Sequence, residues 1–193
     1  MARSQAMSSH RTLFALGVMG VLVGAHPVAG QDHTPPAATR VVAAAVTRAQ
    51  AEQKAVLVEF GASWCTWCRN FEAFVKSADA GPALARHFVV VNLTVRERDD
   101  KKTLEHPGGS VLMDEWGGAE SGLPFYVFLS NTGQKVADSN AMPDGTNIGF
   151  PAVPGEIRAF IDLMERAAPA LSLAERDVLA GYLARVAAKP DTR

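Results

Sequence analysis

Cysteine and net charge are both scarce in this sequence. Its 193 residues contain two cysteines, and 19 basic residues against 20 acidic ones leave a formal net charge of −1. Two cysteines exclude a disulfide-dense scaffold, which needs several pairs. The near-neutral charge excludes a broad basic surface, so we expect no nucleic-acid partner. With 48% hydrophobic and 20% charged residues, the chain has the composition of one ordinary globular domain.

Long hydrophobic runs are missing as well. The apolar run near the N-terminus, residues 12–25, is shorter than the roughly 20 residues of a membrane-spanning helix. It follows two arginines and precedes small residues at 28–30, which predicts a signal peptide over residues 1–30, cleaved before Gln31. An uncleaved N-terminal anchor is the alternative. Either one predicts a periplasmic or other extracytoplasmic location, where disulfides persist.

Residues 31–38 are expected to be a linker, and residues 39–193 one domain of alternating helices and strands. Helices are predicted over residues 39–53, 66–76, 111–116, 154–167 and 172–188, and strands over 55–60, 88–95, 125–129 and 134–138. Helices that alternate with buried strands and end in a hairpin indicate an α/β sandwich. The segment 96–122 is expected to be a long connection, with its charged run 96–102 as a solvated surface.

The two cysteines, Cys65 and Cys68, lie where a predicted strand ends and a predicted helix begins. Unpaired N–H groups at a helix N-terminus favour a thiolate at Cys65, and the thiolate is the form that attacks a disulfide. Cys68, one turn further along, can then attack the mixed disulfide and release the product. This placement favours thiol–disulfide exchange.

The cysteine pair has four other interpretations. A structural disulfide that closes about four residues would stabilise the fold by only about 2 kcal/mol. A zinc site needs four ligands, and His87 and His106 are the histidines that could complete one. Haem attachment is excluded because Arg69, rather than histidine, follows Cys68. Two buried, inert thiols are the fourth alternative. We therefore expect no metal and no other cofactor.

Two further positions carry chemistry near the pair. Glu59 interrupts an apolar strand six residues before Cys65, and a buried carboxyl there would have a raised pKa suited to taking a proton from Cys68. The alternative is that Glu59 points into solvent. Leu123-Pro124 precedes the third strand, and an X-Pro bond can be cis or trans. A cis bond would expose the Leu123 backbone to an extended substrate chain.

The segments VLVEFGASWCTWCRNFEAF, FVVVNLTV and GLPFYVFL, in this order, resemble the thioredoxin superfamily over roughly residues 41–168. The chain is similar to exported thioredoxin-like proteins and to the C-terminal domain of the membrane thiol:disulfide interchange protein. The resemblance implies a thioredoxin-like three-layer sandwich around a central mixed sheet. It also implies that Cys65 is the nucleophile, that Cys68 is the resolving thiol in a redox-active disulfide, and that Pro124 is cis.

The resemblance extends to the residues around the pair, with some departures. An acid at the position of Glu59 serves proton transfer in this family, usually as aspartate. Trp64, Trp67 and Leu123 are expected to bind substrate at the rim. The residues between the cysteines are Thr-Trp rather than Gly-Pro, and a helix over residues 172–188 is added after the usual last one.

These features together predict an exported thiol:disulfide oxidoreductase, with reduction favoured as its direction. Its partners would be proteins that carry disulfides and a membrane or periplasmic thiol donor, and the chain is expected to act as a monomer. Two alternatives are a disulfide-forming oxidase and a non-catalytic module that keeps the fold and binds protein through the Leu123 edge.

Overall fold

The computed structural model describes residues 34–188 and Met1. The rest of the expected signal peptide, the start of the expected linker and residues 189–193 lie outside the described residues, so the division of the chain into signal peptide, linker and domain stays a prediction. Within residues 34–188, the helices are α1 (Ala38–Glu52), α2 (Thr66–Lys76), α3 (Gly81–His87), α4 (Gly109–Met113), α5 (Pro154–Ala167) and α6 (Leu173–Ala187), and the strands are β1 (Ala55–Gly61), β2 (Phe88–Thr94), β3 (Phe125–Leu129) and β4 (Lys135–Asp138).

The four strands form one mixed sheet in the order β2-β1-β3-β4. Strand β1 runs parallel to β2 and antiparallel to β3, and β4 pairs antiparallel with β3. All residues of β1 and β3 are buried, because these central strands are covered on both faces. The predicted mixed sheet is confirmed.

Helices cover both faces of this sheet and separate two cores. Alternate residues of β1 point to opposite faces, so Leu57 lies in one core and Val58 in the other. The first core is aromatic and includes Phe71 of α2 and Phe160 of α5, which also contact each other. The second is mainly aliphatic and lies under α1 and α4. The three-layer sandwich expected from the resemblance is therefore present.

Several predicted elements have the observed bounds, and two short ones were missed. Helices α2 and α5 and strand β3 begin and end where the sequence predicts. Helix α3 was missed because seven residues are too few to show a helical period. A 3-10 helix at Asp99–Leu104 was missed because it buries none of its residues. The short helix predicted at 111–116 is instead α4, followed directly by a π-helical turn at Asp114–Gly118.

The predicted C-terminal helix is present as α6. Ser172 caps it: its hydroxyl accepts a hydrogen bond from the Glu175 backbone N–H, and the Glu175 carboxylate accepts one from the Ser172 backbone N–H. This reciprocal capping box is the motif that the sequence indicates. No helix within residues 34–188 is long and apolar enough to cross a membrane.

Candidate functional site

The cysteine pair lies at the junction of β1 and α2. Cys65 is the residue that caps the N-terminus of α2, and its sulfur accepts a hydrogen bond of 3.0 Å from the Cys68 backbone N–H. The two sulfurs form a disulfide, and both residues are buried. The first turn of a helix carries unpaired N–H groups and a partial positive charge, which stabilise a negative charge on a sulfur at this place after reduction. The predicted position of Cys65 at a helix N-terminus is confirmed.

Glu59 lies inside the fold rather than in solvent. Its side chain faces the same core as Leu57, and only 2% of the residue is exposed. The Asn92 side-chain amide donates a hydrogen bond of 2.5 Å to Glu59 Oε2. Among the described residues, Glu59 Oε1 has no hydrogen-bond partner. Burial raises the pKa of Glu59 to about 8, against the opposing effect of the Asn92 hydrogen bond.

The Glu59 carboxyl and Cys68 lie on either side of the space that a side chain at Gly61 would fill. A Cβ atom at Gly61 would lie 2.7 Å from Glu59 Oε1 and 3.3 Å from Cys68 Sγ. These two atoms are therefore within about 6 Å of each other, since both border the same missing methyl group. A carboxyl whose pKa is close to that of an ordinary thiol thus lies near the sulfur that would lose a proton.

The buried carboxyl also borders a cavity of about 650 Å³. Its lining includes Glu59, Cys68, Asn92, Arg69 and His106. Asn92 is exposed to solvent although it bonds the buried carboxyl. The buried carboxyl, Cys68 and the exposed Asn92 thus border one cavity.

The Leu123–Pro124 peptide bond is cis, in agreement with the expectation from the resemblance. Leu123 packs against Ala62, Cys65 and Cys68. The Asn147 side-chain amide donates to the backbone oxygens of Gly122 (2.8 Å) and Pro124 (3.0 Å) and so holds this loop from the other side. The fold therefore brings Leu123, and with it the cis bond to Pro124, to the disulfide, while the role of these two residues in substrate binding stays a prediction.

Two tryptophans form the outer rim of the site. Trp64 is 42% exposed and Trp67 is 53% exposed. Trp67 stacks on Phe150, with ring centroids 5.9 Å apart, and the Arg98 guanidinium carbon lies 5.5 Å from the Trp64 ring centroid. The rim thus presents flat apolar surface beside Cys65, which suits contact with a polypeptide.

The expectation that residues 96–102 form a solvated surface is wrong for its first two members. Glu97 is 3% exposed, and its carboxylate accepts hydrogen bonds from the backbone N–H and the hydroxyl of Ser63. The Arg96 guanidinium is half-buried against backbone carbonyls of the segment before Pro124. Both charged side chains are buried or half-buried because they form hydrogen bonds with polar groups of the loops around the disulfide, which would otherwise lack partners.

Sequence reasoning missed four residues of this arrangement: Gly61, Asn92, Arg96 and Glu97. The signal for Asn92 was visible, because it interrupts the apolar strand FVVVNLTV just as Glu59 interrupts the neighbouring one. In the parallel register Glu59 and Asn92 are directly paired. Gly61 directly follows the predicted strand 55–60, where a glycine is an ordinary strand end and gives no sign of a close contact.

The histidines that could have completed a zinc site have other partners. His87 Nε2 lies 3.1 Å from a Glu175 carboxylate oxygen, and His106 Nδ1 accepts a hydrogen bond from the Thr94 backbone N–H. Among the described residues, no three His, Cys, Asp or Glu side chains are grouped so that they could hold a metal ion.

Comparison with known proteins agrees with the geometry. Residues 37–130 match the family described as thioredoxin-like. No curated protein matches the sequence. Among solved structures, a disulphide isomerase from Xylella fastidiosa Temecula1 is 20% identical, with 77% of this chain and 90% of that chain covered and a TM-score of 0.46.

Two further solved structures are similar at the same level. The C-terminal domain of DsbD from Neisseria meningitidis is 23% identical over 54% of this chain and 84% of that chain, with a TM-score of 0.39. A thioredoxin from Thermus thermophilus is 20% identical over 64% of this chain and 81% of that chain, with a TM-score of 0.41. The family match spans α1 to β3, including the cysteine pair and the cis-proline, and the observed fold is thioredoxin-like.

Proposed function

We propose that this protein is a thiol:disulfide oxidoreductase that reduces disulfides in exported proteins. The observation that carries the proposal is the pairing of a disulfide at a helix N-terminus with a buried carboxyl on its inner side. Cys65 lies where a thiolate is stabilised, and Glu59 lies within about 6 Å of Cys68 Sγ. An inert disulfide would have no use for this carboxyl, which costs free energy to bury.

The first step is attack by the Cys65 thiolate on a substrate disulfide. A bond forms between Cys65 and one substrate sulfur, and the other substrate sulfur leaves as a thiolate that takes a proton from solvent. The rim formed by Trp64 and Trp67 and the loop with Leu123 would hold the substrate chain during this step.

The second step is release of the substrate. Cys68 gives its proton to the Glu59 carboxylate and attacks Cys65, which expels the second substrate sulfur and forms the Cys65–Cys68 disulfide. The substrate gains two electrons and the dithiol loses two. A further thiol donor, in a membrane or the periplasm, would return the pair to its reduced form.

Reduction is proposed over oxidation because a carboxyl with a raised pKa suits proton removal from Cys68. An oxidase would require a dithiol form that is stabilised well beyond that of glutathione. Measuring the reduction potential against glutathione tests the direction. We expect a value below that of the glutathione couple, and a value well above it would favour the oxidase.

Trapping tests the activity itself. Cys68→Ala removes the resolving thiol, so the substrate should stay bound to Cys65 through a mixed disulfide that thiol reagents release. Cys65→Ala should trap nothing and should not reduce insulin. If wild type and Cys65→Ala reduce insulin at the same rate, the non-catalytic binding module becomes the better explanation.

Export is proposed from the N-terminal segment, where an acid-free apolar run is followed by small residues at 28–30. Expression of the full chain with a thiol-labelling reagent that does not cross membranes tests this. Labelling of reduced Cys65 on intact cells would support export, and labelling only after lysis would contradict it.

A further inference from the structure

The Arg96-Glu97 dipeptide lies between the two loops that flank the disulfide. We define the cysteine loop as residues 62–65 and the proline loop as residues 118–124. One residue, Val95, separates the dipeptide from the end of β2, and the Val95 backbone N–H still bonds to the Gly61 oxygen (2.8 Å). The dipeptide is therefore anchored to the sheet beside the site.

The Arg96 side chain binds the proline loop. Its Nη1 donates to the Ser121 oxygen (2.8 Å), and its Nη2 donates to the oxygens of Ala119 (2.8 Å) and Gly118 (3.1 Å). Asp114 lies 3.3 Å from Nη2 and balances the charge. A planar guanidinium can reach several carbonyls at once in a fixed geometry, which an ammonium group cannot.

The backbone of Arg96 and the side chain of Glu97 bind the cysteine loop. Trp64 Nε1 donates to the Arg96 oxygen (2.9 Å). Glu97 Oε1 accepts from the Ser63 backbone N–H (2.6 Å), and Oε2 accepts from the Ser63 hydroxyl (2.9 Å). Hydrogen bonds to a buried carboxylate are strong, and the two to Glu97 fix Ser63, while the bond to the Arg96 oxygen holds Trp64.

Arg96 also has a left-handed backbone conformation, with φ at +52°. A residue with a Cβ atom rarely adopts this conformation unless its surroundings impose it. Here the conformation lets one residue direct its carbonyl to the cysteine loop and its guanidinium to the proline loop. The strained backbone conformation of Arg96 therefore allows this one residue to bond to both loops.

We propose that Arg96 and Glu97 are positioning residues that fix the spacing between the cysteine loop and the proline loop, and that this spacing sets the preference for polypeptide disulfides over small ones. The inference rests on the proposed function. An extended polypeptide must contact both loops at once, so a loss of their spacing weakens its binding. A small disulfide needs only access to Cys65.

Two substitutions of Arg96 test the bridge. Arg96→Gly keeps the backbone oxygen and relieves the left-handed conformation, but it removes the guanidinium. Arg96→Lys keeps the positive charge without the planar fork. For both variants we expect the KM for insulin to rise about tenfold with kcat nearly unchanged, because the lost contacts hold the loop and not the reacting sulfurs. The rate with a small aromatic disulfide such as dithiobis(nitrobenzoate) should stay that of wild type.

Matched control variants distinguish a loss of the spacing between the two loops from a general destabilisation of the fold. Arg48→Lys changes an exposed arginine that pairs with Glu52 on α1, and it should alter neither substrate. Glu97→Gln keeps an oxygen for the Ser63 N–H and should stay close to wild type, whereas Glu97→Ala should raise the KM for insulin as the Arg96 variants do. Thermal unfolding of each variant, measured in parallel, identifies any that is not folded.

The outcomes are distinguishable from failure of the proposed function. Unchanged insulin kinetics in folded Arg96→Gly and Arg96→Lys would overturn the inference, as would an equal fall in activity toward insulin and the small disulfide. Loss of the insulin preference alone supports it. A wild-type protein that reduces neither substrate would overturn the proposed function instead.

Discussion

Cys65 and Cys68 share one disulfide and are both buried, yet they have different surroundings. Cys65 has Trp64 and Trp67 beside it in the sequence, both substantially exposed, and Leu123 packs nearby. Cys68 borders Gly61, Glu59 and a cavity on the inner side. Under the proposed function, the two cysteines have different tasks: Cys65 contacts the partner protein on the outer side, and Cys68 gives up its proton on the inner side.

The electrostatics of the two sides are complementary. The N-terminus of α2 stabilises negative charge at Cys65. On the inner side the pKa of Glu59 is about 8, so only about one carboxyl in ten is ionised at pH 7. A neutral carboxyl avoids placing a second negative charge close to a thiolate. Each of the following changes acts on one side and should leave the other side intact.

The largest effect is expected from Glu59→Gln on the second step of exchange. Glutamine cannot accept the proton of Cys68, so the lifetime of the mixed disulfide should increase about a hundredfold at pH 7. Acid quenching followed by mass spectrometry measures that lifetime. Glu165→Gln removes an exposed carboxylate that pairs with Arg176, away from the cavity that Glu59 borders, and is the control, with no change expected. Equal lifetimes in wild type and Glu59→Gln would remove the proton-transfer role.

The same substitution should change the pH dependence of stability in the oxidised protein. The pKa of Glu59 is raised from 4.5 to about 8 on folding, so the folded state holds this proton more tightly than the unfolded state. The stability that this group contributes is complete below pH 4.5 and is lost as the pH rises to 8. Relative to wild type, the free energy of unfolding of Glu59→Gln should therefore increase by about 3 kcal/mol from pH 4 to pH 7. Urea unfolding at the two pH values measures this difference, and a constant difference would contradict the raised pKa.

The residues on the inner side of the disulfide could be predicted from the sequence in part. Glu59 was visible as an acid within an apolar strand, and Cys65 as the first residue before a helical pattern. Both signals are local, because a strand, a short loop and a helix follow each other without interruption. The contact between Glu59 and Asn92 spans 33 residues and depends on the parallel register of β1 and β2, which no local pattern reports.

The outer side was harder to predict because its support comes from a charged run. Arg96 and Glu97 have the composition of a solvated surface, and sequence periodicity does not show that a charge binds buried backbone groups. Glu97 finds its partners at Ser63 in the cysteine loop, and Arg96 finds its partners in the proline loop; neither contact is local in the sequence. Long-range hydrogen bonds therefore explain why Asn92 was missed and why the expectation for Arg96 and Glu97 was wrong.

A methyl group at Gly61 should disturb the inner side alone. In Gly61→Ala the new Cβ would lie 2.7 Å from Glu59 Oε1, closer than carbon and oxygen can approach without movement. We expect a loss of about 1–3 kcal/mol in the free energy of unfolding, together with slower release of the mixed disulfide. Gly155→Ala is the matched control, since a Cβ there would meet no atom within 4 Å. Wild-type stability in Gly61→Ala would show that the space between carboxyl and sulfur is not needed.

A substitution at Trp67 should disturb the outer side alone. Trp67→Ala removes an exposed ring that stacks on Phe150. The KM for insulin should rise about threefold, because aromatic rim residues contribute contact area rather than chemistry. The lifetime of the mixed disulfide should not change. Leu173→Ala, at an equally apolar and more exposed position on α6, is the control. A longer mixed-disulfide lifetime in Trp67→Ala would contradict the claim that Trp67 acts on substrate binding and not on its release.

The smallest effect is expected at Asn92, which controls how strongly the inner side holds its proton. The Asn92 hydrogen bond stabilises the ionised carboxyl and opposes the effect of burial on the pKa of Glu59. Asn92→Leu removes that donor, so the pH at which release of the mixed disulfide is half-maximal should move upward by about one unit. Asn92→Asp should move it in the same direction, because a second carboxyl opposes ionisation of the first. A downward movement in either variant would mean that a group other than Glu59 accepts the proton of Cys68. The exposed amide would then serve only to close the cavity from solvent.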